Sequence, residues 1–238
     1  MTSLVQPVRV FIDPVEGTQA AVEARRWVWP LIILALCVSA SGTLNSLRWD
    51  AAPDVIRELQ SSGDMATISE ADLTDKIQTS SRKSLVGGIA KGVFVMPFLA
   101  LLLAAALWVV TWLFDLSAPF ERLLSVAALA LLPIALYHVV FAICASAQYS
   151  LTAQRAAQLV PSHLGAVLTG LSPGMARVAS AVDFFNLWST ALLGLGLSAA
   201  TGIRRSRGLL LAGVLYVVFA GVFMVGLPGI QMASGGGR

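Results

Sequence analysis

Charge is what this sequence has least of. Asp, Glu, Lys and Arg together make up 12% of its 238 residues, about half the share carried by a soluble domain. A chain so poor in polar side chains cannot coat a water-facing globule. Cysteine is nearly absent too: Cys37 and Cys144 stand alone, each inside an apolar run. That excludes a disulfide framework, a CxxC redox pair and a thiolate metal site. Catalytic signatures are missing as well. There is no HExxH and no GxSxG, Gly87-Gly88 lacks the continuation of a phosphate-binding loop, and there are two histidines. The chain therefore reads as no enzyme, with no cofactor and no metal. A net charge of +3 would hint at nucleic acid in a soluble protein. Here the basic residues stand mostly at the ends of apolar segments, where they anchor helices, so no nucleic-acid partner is expected.

What is present is long hydrophobic sequence. Hydrophobic residues make up 57% of the chain, with a mean hydropathy of +0.79. About 20 apolar residues cross the hydrocarbon core as a helix, and five stretches qualify: about 27–46, 84–114, 123–147, 178–201 and 208–230. The fold class is thus an all-α integral membrane protein, a bundle of five transmembrane helices with a short helical outer loop. Pro30 falls in the first turn of the first span, where a missing N–H costs little, and Pro133 interrupts the third. Arg25-Arg26 before an apolar run imitates a signal peptide, but the lead is long and carries Asp13, Glu16 and Glu23. The segment is expected to be a retained span.

Lys and Arg placement orients the bundle. Arg25-Arg26, Arg122 and Arg204-Arg205-Arg207 are concentrated beside span ends on one side. The basic residues of the other side are diluted by Asp50, Asp54, Glu58, Asp64, Glu70, Asp72 and Asp75. Residues 1–26 then form a cytoplasmic N-terminal segment, 47–83 an external loop, and 231–238 a flexible tail. Ser69-x-x-Asp72 resembles a capping box that starts a helix running into the second span. Between the third and fourth spans, Leu164, Val167, Leu168 and Leu171 keep the i, i+3, i+4, i+7 spacing of an amphipathic helix lying on the outer interface or against the helix ends.

The fourth stretch, VASAVDFFNLWSTALLGLGL, holds the one residue that demands an explanation. A carboxylate at the bilayer centre costs about 2.5–3.5 kcal/mol on insertion scales, so Asp183 needs a partner. On a helical wheel Ser180, Asp183, Asn186, Leu187, Thr190, Gly194, Leu197 and Ser198 share one arc. Phe184, Phe185, Trp188, Leu192 and Leu195 take the opposite side, where a larger residue at Leu192 is expected to be tolerated. Thr190, Gly194 and Ser198 repeat every four residues, the small-residue seam that lets helix backbones approach. The expected intramembrane polar cluster is Asp183 with Asn186, Lys91 and His138, Lys91 being the first choice of partner because opposite charge offsets desolvation. Against this, Lys91 alone would snorkel to the headgroups, and His138 would satisfy a carbonyl freed by Pro133. A structural Asp183 and a proton- or ion-coupled Asp183 both fit the sequence; the second would make the chain a small transporter or channel. No inverted repeat supports a transporter.

Aspartate-x-Phe-x-x-Trp in a glycine-rich fourth span, namely Asp183, Phe185, Leu187, Trp188, Leu193, Gly194 and Gly196, is followed by the basic turn Ile203 to Gly208. With Pro133 and the Phe11-x-Asp13-Pro14 string, this pattern resembles bacterial members of the Yip-domain family of five-span membrane proteins. The resemblance implies a non-catalytic accessory protein of the bacterial inner (cytoplasmic) membrane. Its implied partners are membrane lipid and other integral membrane proteins, foremost a macrolide-exporter-type (MacB-type) ABC efflux transporter with its periplasmic adaptor.

Overall fold

A computed structural model describes residues 6–226. The expected end of the fifth span, 227–230, and the tail 231–238 lie outside the described residues. In chain order the helices are α1 (Gln6–Ile12), α2 (Pro14–Glu23), α3 (Val28–Arg48), α4 (Ala52–Ser62), α5 (Glu70–Ala90), α6 (Met96–Leu113), α7 (Phe120–Ala130), α8 (Leu132–Ser146), α9 (Ala153–Gln158), α10 (Leu164–Val167), α11 (Pro173–Ala181), α12 (Phe184–Thr201) and α13 (Arg205–Phe219). Among the described residues, five helical stretches are long and apolar enough to cross a membrane: Val28–Arg48, Glu70–Leu113, Phe120–Ser146, Phe184–Thr201 and Arg205–Gly226. Their outward faces are oily. Phe94, Phe98, Trp108 and Trp112 on the second of them, and Leu210 and Val217 on the last, are all more than half exposed. Apolar surface on that scale belongs in acyl chains, not water.

Local chemistry explains where the helices start and bend. The Ser69 hydroxyl accepts the Asp72 N–H at 3.1 Å and starts α5. From there the helix runs 44 residues to Leu113, passing through a π turn at Lys91–Val95. That turn lies immediately before Pro97, which has no N–H and whose ring crowds the carbonyl four residues back. Pro133 acts similarly between α7 and α8, which part at Leu131. Gly202 closes α12 in the left-handed region (φ 76°), its N–H reaching Ser198 O at 2.9 Å.

The chain divides into two compact units. The first is drawn from Met1–Ile32, Phe98–Ile134 and Pro161–Arg238, and α12 is its centre, packed on α13, α7 and α2. Residues Leu123 to Ala130 of α7 are all buried. The N-terminal segment, read from sequence only as a cytoplasmic lead, is folded into this core. Val10, Thr18, Ala21 and Val22 are fully buried, and Asp13 caps α2 by accepting the Glu16 N–H at 3.2 Å. Arg25 in the following turn pairs with Glu121 at 2.7 Å.

The second unit comprises Ile33–Pro97 and Ala135–Val160. Within it α3 and α5 approach until a Cβ added at Gly42 would lie 2.7 Å from Gly88 Cα. A two-stranded bridge ties the end of α3 to the segment after α8 through Leu151 N–H to Arg48 O (2.7 Å) and Asp50 N–H to Leu151 O (2.9 Å).

Two expectations need correction. The amphipathic helix through Leu164, Val167, Leu168 and Leu171 is a single turn. It stops at Val167 because Leu168 is extended and Gly170 has φ 74°. The fourth span does not run unbroken from 178 to 201: α11 ends at Ala181, the chain opens at Val182 and Asp183, and α12 begins at Phe184.

Candidate functional site

Asp183 sits in that opening. Its backbone is extended (φ −116°, ψ 138°), the geometry of a residue preceding a helix. One carboxylate oxygen accepts the backbone N–H of Asn186 at 3.0 Å, and the other accepts the Ser162 hydroxyl. Residues 162–164 lie antiparallel to 182–184, with Leu164 N–H to Val182 O at 3.0 Å and Phe184 N–H to Ser162 O at 2.9 Å. The Tyr216 hydroxyl of α13 donates to Ala181 O, tying off the end of α11. So the aspartate is not buried mid-helix. It caps α12, where its negative charge also meets the positive end of the helix dipole.

This changes the expected cluster. Asn186 does serve Asp183, but through its backbone; Lys91 and His138 belong to the second unit. There His138 Nδ1 lies 2.6 Å from Ser41 Oγ, and Lys91 stands in the π turn. Ser162 was missed because it lies 21 residues upstream in a polar loop, with no periodic relation to Asp183. Nor was Tyr216 singled out, being one hydroxyl within an apolar run.

Gly194 and Ser198 of the seam meet α13. A Cβ at Gly194 would fall 2.7 Å from Leu209 Cα, and one at Gly208 would strike Ser198 Oγ and Gly194 O. Ser198 donates to Gly194 O at 2.9 Å, and Thr190 to Asn186 O at 2.8 Å, so both hydroxyls are satisfied inside their own helix. On the opposite face of α12, Phe185 and Leu192 are not spare surface. Leu192 is 1% exposed, whereas Leu187, placed by the wheel in the inward arc, is 48% exposed. With α13, α7 and α2 packed on α12, buried positions fall on both faces, and a two-sided wheel cannot express that.

The motif residues thus have packing duties. Gly196 clears space for Val126 of α7, whose Cγ1 would lie 2.8 Å from an added Cβ. Leu193 is buried. Trp188 stands edge-on to Phe11 of α1, centroids 5.4 Å apart, so the two aromatic-bearing strings, Phe11 to Pro14 and Asp183 to Trp188, touch. Among the described residues no group of three or more His, Cys, Asp or Glu is arranged to hold a metal ion.

A family model described as the Yip1 domain matches residues 8–227, nearly the whole chain. No curated protein and no solved structure matches the chain.

Proposed function

The chain belongs to the Yip1-domain family and is a multi-pass membrane protein; from that premise we propose that it works as a non-catalytic accessory or scaffold subunit. Its place is a bacterial inner membrane, and its first expected partner is a MacB-type ABC efflux transporter with the periplasmic adaptor. The observation that supports a scaffold is the use made of Asp183. Each oxygen of the one acidic group in the fourth stretch is engaged in starting α12 and holding the 162–164 segment. A proton or ion carrier needs a carboxylate free to change partners.

The test of partnership is purification of the full chain in mild detergent. Stoichiometric recovery of an ATPase together with a periplasmic adaptor is the expected result; recovery of neither, from a strain that expresses both, defeats the assignment.

The orientation goes with this proposal: N-terminus in the cytoplasm, and the 47–83 segment, with α4 and the start of α5, outside. Single cysteines at Asp64 and Ser206, both exposed, placed in a background lacking Cys37 and Cys144, should be labelled from opposite sides by an impermeant maleimide. Labelling of both from outside contradicts the arrangement.

A further inference from the structure

The second unit carries an open slot of about 370 Å³ that the scaffold reading leaves unused. Helices α3, α5 and α8 line it, and Lys91 joins from the π turn. Its polar wall is Ser41, Asn45, Ser46, Ser84, Lys91 and His138. Part of that wall is settled internally: Ser41 with His138 at 2.6 Å, and Ser46 with Ser84 at 2.8 Å. The contact of Gly42 with Gly88 fixes α3 against α5, so the spacing of the wall these two helices contribute is set by backbone.

Two members have capacity left. Asn45 Oδ1 is buried with no hydrogen-bond partner among the described residues. Lys91 carries three N–H donors, and among the described residues no carboxylate lies within ion-pair distance of it. Its surroundings along the helix are lipid-facing: Val86, Ile89, Val93 and Phe94 are each more than 40% exposed. An ammonium held in such a belt without a counter-charge is costly. The depth is informative too. Lys91 lies eight residues beyond Lys83, about 12 Å along the helix at 1.5 Å per residue, so the polar wall runs inward from the polar end of α5. A slot of this kind suits a ligand that is abundant in the bilayer, carries one negative charge, offers hydroxyl donors and has acyl chains for an apolar rim.

We propose that this cavity binds the headgroup of an anionic phospholipid, with the phosphate on Lys91 and a headgroup hydroxyl meeting the polar wall at Asn45. Charge balance favours it, since a phosphodiester of charge −1 cancels one ammonium. Pockets that place a basic side chain between spans are a recurrent solution for anionic lipid headgroups.

The test titrates phosphatidylglycerol and phosphatidylcholine into the delipidated full chain in maltoside detergent, with bound lipid counted by native mass spectrometry. Phosphatidylglycerol should bind one per chain, at least tenfold more tightly than phosphatidylcholine. Lys91→Gln should weaken it at least tenfold with an unchanged melting temperature, Lys91→Arg should restore most of it, and Lys76→Gln, on exposed α5, should bind as the parent does. Equal retention of phosphatidylglycerol by the parent and Lys91→Gln overturns the proposal. So does equal binding of the zwitterionic lipid. Displacement of the lipid by an equimolar amount of inorganic phosphate would reassign the cavity to a free anion and overturn the lipid assignment.

Discussion

Leucine in place of Gly194 should unfold the first unit or leave it aggregated in detergent. The added Cβ alone would sit 2.7 Å from Leu209 Cα and 2.9 Å from Leu209 N. Those are backbone atoms, which no rotamer change can move aside. Overpacking a core typically costs about 1–3 kcal/mol, and a clash that must displace all of α13 from α12 belongs at or above the top of that range. Gly213 supplies the control. It lies on α13 itself with nothing within 4 Å of an added Cβ, so Gly213→Leu makes the same chemical change in open space and should leave the melting temperature nearly unchanged. Equal losses at the two positions, read by thermal unfolding and by the monodisperse fraction after solubilisation, would remove the seam as the explanation. Leu192 no longer serves as a tolerant site. With 1% exposure it is core, and Leu192→Phe should also destabilise.

The second large effect is expected at Asp183. Leucine there removes the cap of α12, worth about 0.5–2 kcal/mol. It also takes from the half-buried Ser162 hydroxyl its charged acceptor, a bond worth about 1.5–3 kcal/mol. A combined loss of roughly 2–5 kcal/mol follows. Asparagine caps nearly as well and keeps an oxygen for the Asn186 N–H, so Asp183→Asn should stay close to the parent. Ser162→Ala should fall between them. Asp183→Asn that folds normally yet abolishes a proton-coupled flux in proteoliposomes would count for the transporter reading and against the scaffold.

The spans were legible because bilayer thickness imposes a length on apolar sequence, and Pro133 and Ser69 announced a break and a start by known local chemistry. Asp183 was misread although it carries the same kind of signal as Ser69: a capping side chain just before an apolar run. The apolar residues on its N-terminal side, Val178 to Val182, made the run look continuous. Once a continuous helix is assumed, the carboxylate has to be matched with a charge at similar depth, and Lys91 is the nearest candidate on that reasoning. The true partner, Ser162, depends on a loop folding back across the start of α12. That is a tertiary event without periodicity. The same limit applies to α1 and α2, whose short amphipathic pieces gain a core only against α12 and α7.

The helix that starts at Ser69 has one further consequence. Forty-four residues make about 66 Å of helix, roughly twice the hydrocarbon thickness of about 30 Å. No residue of α5 is buried; α3 holds its C-terminal end through Gly42 against Gly88 and Ser46 on Ser84, and α4 lies against it. From the π turn to Glu70 the arm is about 32 Å long. The stretch from Glu70 to Lys91 is thus as long as the hydrocarbon is thick, so this one helix has the length to cross the membrane and to carry Glu70, Asp72 and Asp75 well beyond its surface.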